Sequence, residues 1–190
     1  GNRSGKTESG AAELILACLN NPNFDTWAAT WADLSTPVQQ KKIWNLLPKN
    51  KTVRYAKYTE QRGFANRIII FENGSIIRFK TYDQGRESFQ GTAKDLIWLD
   101  EEPPEDIVSE CQARLIDRNG ALVRTMTPLN GITYTYDQVV INERNDSEID
   151  YWFWDSTMNK YVNAEALERI IGGYAEKEAE VLRDGDTDLF

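Results

Sequence analysis

Apolar residues recur along this chain at two spacings, one helical and one extended. From Glu8 to Asn20, Ala11, Leu14, Ile15 and Cys18 fall at helical intervals. Leu16, Ala17 and Leu19 widen that stripe, so the helix is expected to be buried nearly all round. Asn21-Pro22-Asn23 reads as a turn, and Phe24 to Leu34, rich in Trp and Ala, shows no clean period and supports no firm assignment. Thr36-Pro37 pairs an N-cap residue with a proline suited to the first helical position, opening a helix with Val38, Ile43, Leu46 and Leu47 that Pro48 ends. Val53 to Tyr58 has the makings of a short strand. Arg67–Phe71 and Ile76–Tyr82 flank Asn73-Gly74, the strongest short hairpin signal in the chain.

A polar loop, Asp83 to Lys94, leads into Leu96-Ile97-Trp98-Leu99-Asp100-Glu101-Glu102-Pro103. Four apolar residues running straight into carboxylates describe a strand buried on both faces, its carboxyl end opening at a crevice. Pro104 starts a helix with Glu105 and Asp106 in its first turn and Ile107, Val108, Cys111 and Leu115 inward, ended by Asn119-Gly120. Ala121 to Met126 is another short strand. Beyond Gly131 a helix is expected, then an aromatic strand from Asp150 to Asp155, then a long helix capped by Asn163. The fold class that follows is α/β, a mainly parallel central sheet flanked by helices with an added β-hairpin at its edge.

The 190 residues suffice for one α/β domain with a real core. No run of 18 apolar residues exists, so no membrane-spanning helix is expected. Histidine is absent, which removes Ser-His and Cys-His nucleophilic chemistry and the common zinc sites. Cys18 and Cys111 both lie on apolar helix faces and read as buried thiols. The net charge of −8 is unevenly spread: residues 1–100 carry 14 basic and 10 acidic side chains, residues 101–190 carry 8 and 20. Lys41, Lys42, Lys49, Lys51, Arg54, Lys57 and Arg62 are opposed within their segment only by Glu60, with Trp44, Tyr55 and Tyr58 interleaved. Such a run reads either as a solvated face or as a contact to a phosphate backbone. Lys49, Lys51, Arg54 and Lys57 are the candidates for that contact.

The first eight residues, Gly1-Asn2-Arg3-Ser4-Gly5-Lys6-Thr7-Glu8, read as a phosphate-binding loop that lacks only the first glycine of Gly-x4-Gly-Lys-Ser/Thr. In such a loop consecutive backbone N–H groups wrap a polyphosphate, Lys6 neutralises its outer phosphates and the Thr7 hydroxyl ligates Mg²⁺. The following helix points its N-terminal dipole at the same anion. A strand-end carboxylate, Asp100, can hold the metal opposite Thr7, and Glu101 can reach the water in line with the γ-phosphate, with Glu102 as the spare base. The alternative for these acids is the dipole-favoured start of an acidic helix, which accounts for Glu102 and Glu105 but not for the four hydrophobic residues before Asp100. Thr125-Met126-Thr127 ends a strand expected beside that of Asp100 and either senses the γ-phosphate or caps the next helix.

The set Asn2 to Thr7, Ile97 to Glu102 and Thr125 to Pro128, with Asn159, Tyr161 and the stretch to Gly185, resembles the ATPase domain of the large terminase subunit of tailed bacteriophages. The resemblance implies a P-loop NTPase of the ASCE/RecA-like type over residues 1–183, truncated at its N-terminal edge with the first strand missing. Residues 184–190 would begin a linker to an absent nuclease domain. It implies ATP and Mg²⁺ as cofactors, double-stranded DNA as the translocated partner, and a ring homo-oligomer working with a portal protein and a small terminase subunit. The location implied is the host cytoplasm, at the procapsid portal and not in a membrane. Gly1 to Glu8 would bind nucleotide, Thr7 and Asp100 the metal, Glu101 the water, and Thr125, Met126 and Thr127 would couple hydrolysis to movement. Two departures stand out. Asn2 occupies the place of an arginine four residues before the lysine, with Arg3 one step later, and Gln90 occupies the place of an arginine finger, with Arg86 the nearest substitute. A finger is worth roughly 10³- to 10⁵-fold in rate. A helicase-like ATPase, or a nucleotide-binding assembly module, would share these motifs.

Overall fold

The computed structural model describes residues 4–32, 35–50, 52–127, 133–141, 148–152, 159–161, 163 and 165. They belong to two compact units, one running from Thr7 to Thr125 and the other combining Gly1–Lys6 with Met126–Phe190.

The first unit is built on α1 (Lys6–Asn20, whose first residue belongs to the second unit), β1 (Asp25–Thr30), α2 (Ser35–Leu46), β2 (Val53–Tyr55), β3 (Tyr58–Thr59), β4 (Gly63–Phe64), β5 (Ile68–Phe71), β6 (Ile76–Thr81), β7 (Leu96–Asp100), α3 (Glu105–Leu115) and β8 (Ala121–Thr125). Six strands form one sheet in the order β2-β5-β6-β1-β7-β8, and β3 and β4 form a separate two-stranded ribbon. β6, β1, β7 and β8 run parallel; β5 joins β6 as an antiparallel hairpin and β2 adds antiparallel to β5. The mainly parallel sheet and its hairpin edge are as the sequence implies. Gly74 takes the left-handed conformation the turn requires (φ 88), and the Asn73 amide donates to the Cys18 carbonyl at 2.8 Å, fastening the hairpin to the end of α1.

Alternation along the buried strands splits the core into two layers. Ala28, Leu96 and Trp98 join Ala11, Leu14, Ile15 and Cys18 of α1, with Ile43, Leu47, Phe64, Ile69, Phe71, Ile77 and Phe79. Ile97 and Leu99 point to the opposite face, that of α3, whose Ile107, Val108, Cys111 and Leu115 are buried. Burial pushes both thiols, Cys18 and Cys111, up to about 12, so neither ionises near neutral pH. At the amino end of β1, Asp25 accepts from Lys94 at 2.8 Å and from Arg78, which satisfies a lysine only 2% exposed. This ion cluster lies at the end of the parallel strands opposite Asp100.

Three expectations change. Phe24 to Leu34 contains the central strand: β1 is buried on both faces, so it alternates nothing, and its Ala-rich sequence hides it. Leu16 is 53% exposed, so α1 buries one stripe and not its whole circumference. On α2, Val38 is 52% exposed while Gln39 and Gln40 are buried, their amides bonding the Ala29 carbonyl and the Phe64 N–H.

Gly10 is where α1 meets the sheet most closely. A Cβ there would stand 2.3 Å from Trp98 Cε2 and Nε1. Helix propensity favours alanine by ~1 kcal/mol. Overpacking against a buried, hydrogen-bonded ring costs about 1–3 kcal/mol and at this separation lies toward the upper end. Gly10→Ala is therefore expected to lower the urea midpoint, despite adding a better helix former.

In the second unit, Gly5 has φ 98 just before α1 begins, and Lys6 donates to the Ser4 hydroxyl at 3.3 Å. Residues 134–135 are helical and Tyr136–Ile141 form a π-helical turn, in the region where a helix was expected. Residues 150–152 lie outside any strand, contrary to the aromatic strand expected there, and Trp152 is 74% exposed. The remainder of that expected strand, nearly all of the expected long helix and residues 184–190 lie outside the described residues. No helix among the described residues is long and apolar enough to cross a membrane.

Candidate active site

Parallel strands of an α/β sheet gather chemistry at their carboxyl ends, because helices begin there and loops open into a crevice. β7 ends on Asp100, only 3% exposed. Thr7, in the first turn of α1, donates its hydroxyl to Asp100 Oδ1 at 3.2 Å, across 93 residues of sequence. Thr125, the register partner of Asp100 on β8, donates to the same Oδ1 at 2.7 Å. The Trp98 indole N–H in turn donates to Thr125 Oγ1 at 2.8 Å. The expected meeting of the loop threonine with the strand-end aspartate is thus present, and one of the three coupling candidates joins it.

Glu101 adopts φ 61, a left-handed conformation that costs a residue with a side chain about 1–3 kcal/mol and persists only where its surroundings impose it. Here hydrogen bonds from three neighbouring residues hold the turn. Glu101 N–H donates to the Thr125 carbonyl at 2.7 Å, Tyr82 hydroxyl to the Asp100 carbonyl at 3.1 Å, and Trp31 indole to the Glu102 carbonyl at 3.1 Å. Tyr82 also reaches the Ala29 carbonyl at 3.2 Å and packs edge-on against Trp31, ring centroids 5.2 Å apart. The chain therefore leaves β7 in a fixed bend, and Glu101 does not simply alternate to the other face of an extended strand.

Other candidates lie elsewhere. Glu8 pairs with Lys42 of α2 at 2.5 Å. Arg86, in a short 3₁₀ turn before Gln90, donates to Glu110 of α3 at 3.2 Å; with Gln84, Gly85, Glu87 and Gln90 it lines an open polar hollow of about 540 Å³. Lys41 pairs with Glu60, which raises its pKa through the hydrogen bond and the opposite charge. Lys49 lies 4.2 Å over the Trp44 ring and Lys57 5.8 Å over that of Tyr55. Two of the interleaved aromatics are structural: Trp44 stacks on Tyr58 at 5.2 Å, and both pack on buried Phe64. Gly1, Asn2, Arg3 and Lys51 lie outside the described residues. Met126 and Thr127 follow in the second unit, Thr127 buried.

Four residues escaped the sequence reading: Gly10, Trp31, Tyr82 and Trp98. Trp98 carried a usable signal, since an indole inside a doubly buried strand must find an acceptor for its N–H. The others act through backbone carbonyls or close approach, which no side-chain pattern announces.

The donor set fits Mg²⁺, a hard cation taking few protein oxygens and keeping several waters. Thr7 and Asp100 supply a hydroxyl and a carboxylate within one hydrogen bond of each other. Thr30, which ends β1, is fully buried, and its hydroxyl has no hydrogen-bond partner among the described residues. Among the described residues there is no cluster of three His, Cys, Asp or Glu.

Comparison with known proteins identifies the family and the fold. Residues 1–186 match the family described as terminase large subunit, T4likevirus-type, N-terminal. The terminase large subunit of Salmonella phage P22 is 31% identical over 112 residues, 58% of this chain and 22% of that one, so the chain spans about a fifth of that relative. The large terminase ATPase domain of Thermus phage P74-26 superposes with a TM-score of 0.69 at 15% identity, covering 96% of this chain and 84% of that one. A large terminase from a thermophilic bacteriophage reaches 0.77 at 14% identity, over 98% of this chain and 47% of that one. The same terminase in complex with ADP gives 0.70 at 14% identity, over 95% and 45%. The fold is that of these P-loop domains, and the chain belongs to the T4likevirus-type terminase large subunit family, over its N-terminal region.

Proposed function

We propose that this chain is the ATPase domain of a DNA-packaging motor, hydrolysing ATP to drive double-stranded DNA into a procapsid. The observation that carries the reading is the convergence of Thr7 and Thr125 on Asp100 Oδ1, beside a glutamate held in a strained, three-point bend. Residues 1–183 form the ATPase domain and 184–190 begin a linker toward a nuclease domain. The motor works as a ring on the portal protein with a small terminase subunit, in the host cytoplasm.

Lys6 and the backbone N–H groups of Ser4 to Thr7 bind the phosphates, helped by the left-handed Gly5 and the start of a 15-residue helix. Thr7 and Asp100 would hold Mg²⁺, which when bound offsets phosphate charge and orients the β- and γ-oxygens. Glu101 accepts the proton of the attacking water as its oxygen bonds to the γ-phosphorus and the bond to the β–γ bridging oxygen breaks. Because the Glu101 N–H is tied to the Thr125 carbonyl, movement at the catalytic turn reaches the end of β8 directly. Phosphate release by purified protein, with and without double-stranded DNA, tests the reading; Mg²⁺-dependent turnover stimulated by DNA supports it, and absence of turnover in both arms opposes it.

Lys49, Arg54 and Lys57 are the described cations proposed to contact DNA, now that Lys41 and Lys42 are paired with carboxylates. Each phosphate contact contributes about 0.9 to the slope of log affinity against log salt. Replacing all three with Ala is expected to reduce that slope by about 2–3; an unchanged slope would make them a solvated face.

A further inference from the structure

We propose that Trp98 is a positioning residue of the metal site, setting the direction of the Thr125 hydroxyl so that its proton is held on Asp100. The inference rests on the nucleotide-binding role just given to Thr7 and Asp100.

Its basis is the polarity of a short hydrogen-bond chain. An indole N–H only donates, whereas a hydroxyl donates once and accepts. At 2.8 Å the Trp98 N–H occupies Thr125 Oγ1 as acceptor, leaving the Thr125 proton to Asp100 Oδ1 at 2.7 Å. Oδ1 accepts a second hydroxyl, that of Thr7, at 3.2 Å. Two hydroxyls therefore donate to one carboxylate oxygen and fix the orientation of the carboxylate, as ligating carboxylates are commonly held by their own hydrogen bonds. Without the indole, Thr125 is free to rotate and offer Asp100 a lone pair instead, which repels.

The indole is held as firmly as its role requires. Trp98 is fully buried, and Gly10 leaves room for it on α1. Thr7 and Gly10 are three apart on the helix, Asp100 and Trp98 two apart on the strand, so each pair shares a face. One helix face thus meets one strand face at two points, and Thr125 closes the circuit through register with Asp100.

The test measures Mn²⁺ binding by electron paramagnetic resonance with a non-hydrolysable ATP analogue, a readout independent of turnover. Trp98→Phe removes the donor and keeps an aromatic ring; Thr125→Val removes the hydroxyl and keeps the shape. Each is expected to raise half-saturating Mn²⁺ about fivefold, the effect of one net hydrogen bond, and Thr125→Ser should restore wild-type binding. The double variant Trp98→Phe/Thr125→Val should be no weaker than Thr125→Val alone, because both changes break one chain. Multiplying effects, or unchanged Mn²⁺ binding in a folded Trp98→Phe protein, would overturn the proposal. Should that variant not fold, the indole ¹⁵N–¹H resonance of Trp98 serves: it is expected to shift with Mg²⁺ and analogue in wild type but not in Thr125→Val, and a shift in both overturns the inference. If wild type binds no metal with nucleotide, the ATPase reading and the relay fall together, whereas normal wild-type binding with an indifferent Trp98→Phe removes the relay alone.

Discussion

Replacing Glu101 with Gln is expected to lower ATP turnover by about 10²- to 10⁴-fold, the usual contribution of a positioned general base, while nucleotide affinity is retained. The reason for retention is structural. Hydrogen bonds that fix this bend run to main-chain groups, from Tyr82, from Trp31 and from the Glu101 N–H itself. An isosteric amide at position 101 disturbs none of them, so the bend and its φ of 61 survive. What disappears is the ability to take a proton. Glu102→Gln, measured beside it, should remain active. The reverse result, with position 102 silenced and 101 unaffected, would assign the base to Glu102.

Asp100→Asn is expected to have the second large effect and to fail at an earlier step. An amide oxygen can still accept from Thr7 and Thr125, so β7, β8 and the start of α1 should stay in register. The negative charge is lost. Charge stabilisation at a metal site is worth several kcal/mol, and ~1.4 kcal/mol is tenfold, so Mg²⁺-supported turnover should fall by about 10²- to 10³-fold. Half-saturating Mg²⁺ should rise with it, which separates this variant from Glu101→Gln, where metal affinity stays normal. Equal Mg²⁺ dependence in the two would mean that Asp100 only buttresses the sheet.

Much of this site is legible in the sequence because its chemistry uses rigid local signals. Gly5-Lys6-Thr7 before a helix, and Leu96 to Leu99 running into Asp100, each specify a local backbone, and the structure brings Thr7 and Asp100 together. Asn73-Gly74 likewise fixes its hairpin, since the residues that favour the turn are also those that set the register. The central strand was hidden for the opposite reason. Asp25 to Thr30 is buried on both faces, so no alternation exists to detect, and two alanines weaken the propensity signal. The bend at Glu101 was illegible too, because Tyr82 and Trp31 impose it from 19 and 70 positions away through carbonyl oxygens. In the basic run, Trp44 and Tyr58 pack around Phe64 and Lys41 and Lys42 pair with Glu60 and Glu8, so part of that pattern serves the fold.

The central claim is that the lysine and threonine opening α1 form, with Asp100, a magnesium-nucleotide site. Equilibrium binding of a fluorescent ATP analogue, in Mg²⁺ or in EDTA, to wild type and to Lys6→Ala measures it most directly. Saturable binding by wild type that tightens with Mg²⁺ and is lost in Lys6→Ala is the result expected. Binding indifferent both to the metal and to that substitution, or no binding at millimolar nucleotide, would contradict it.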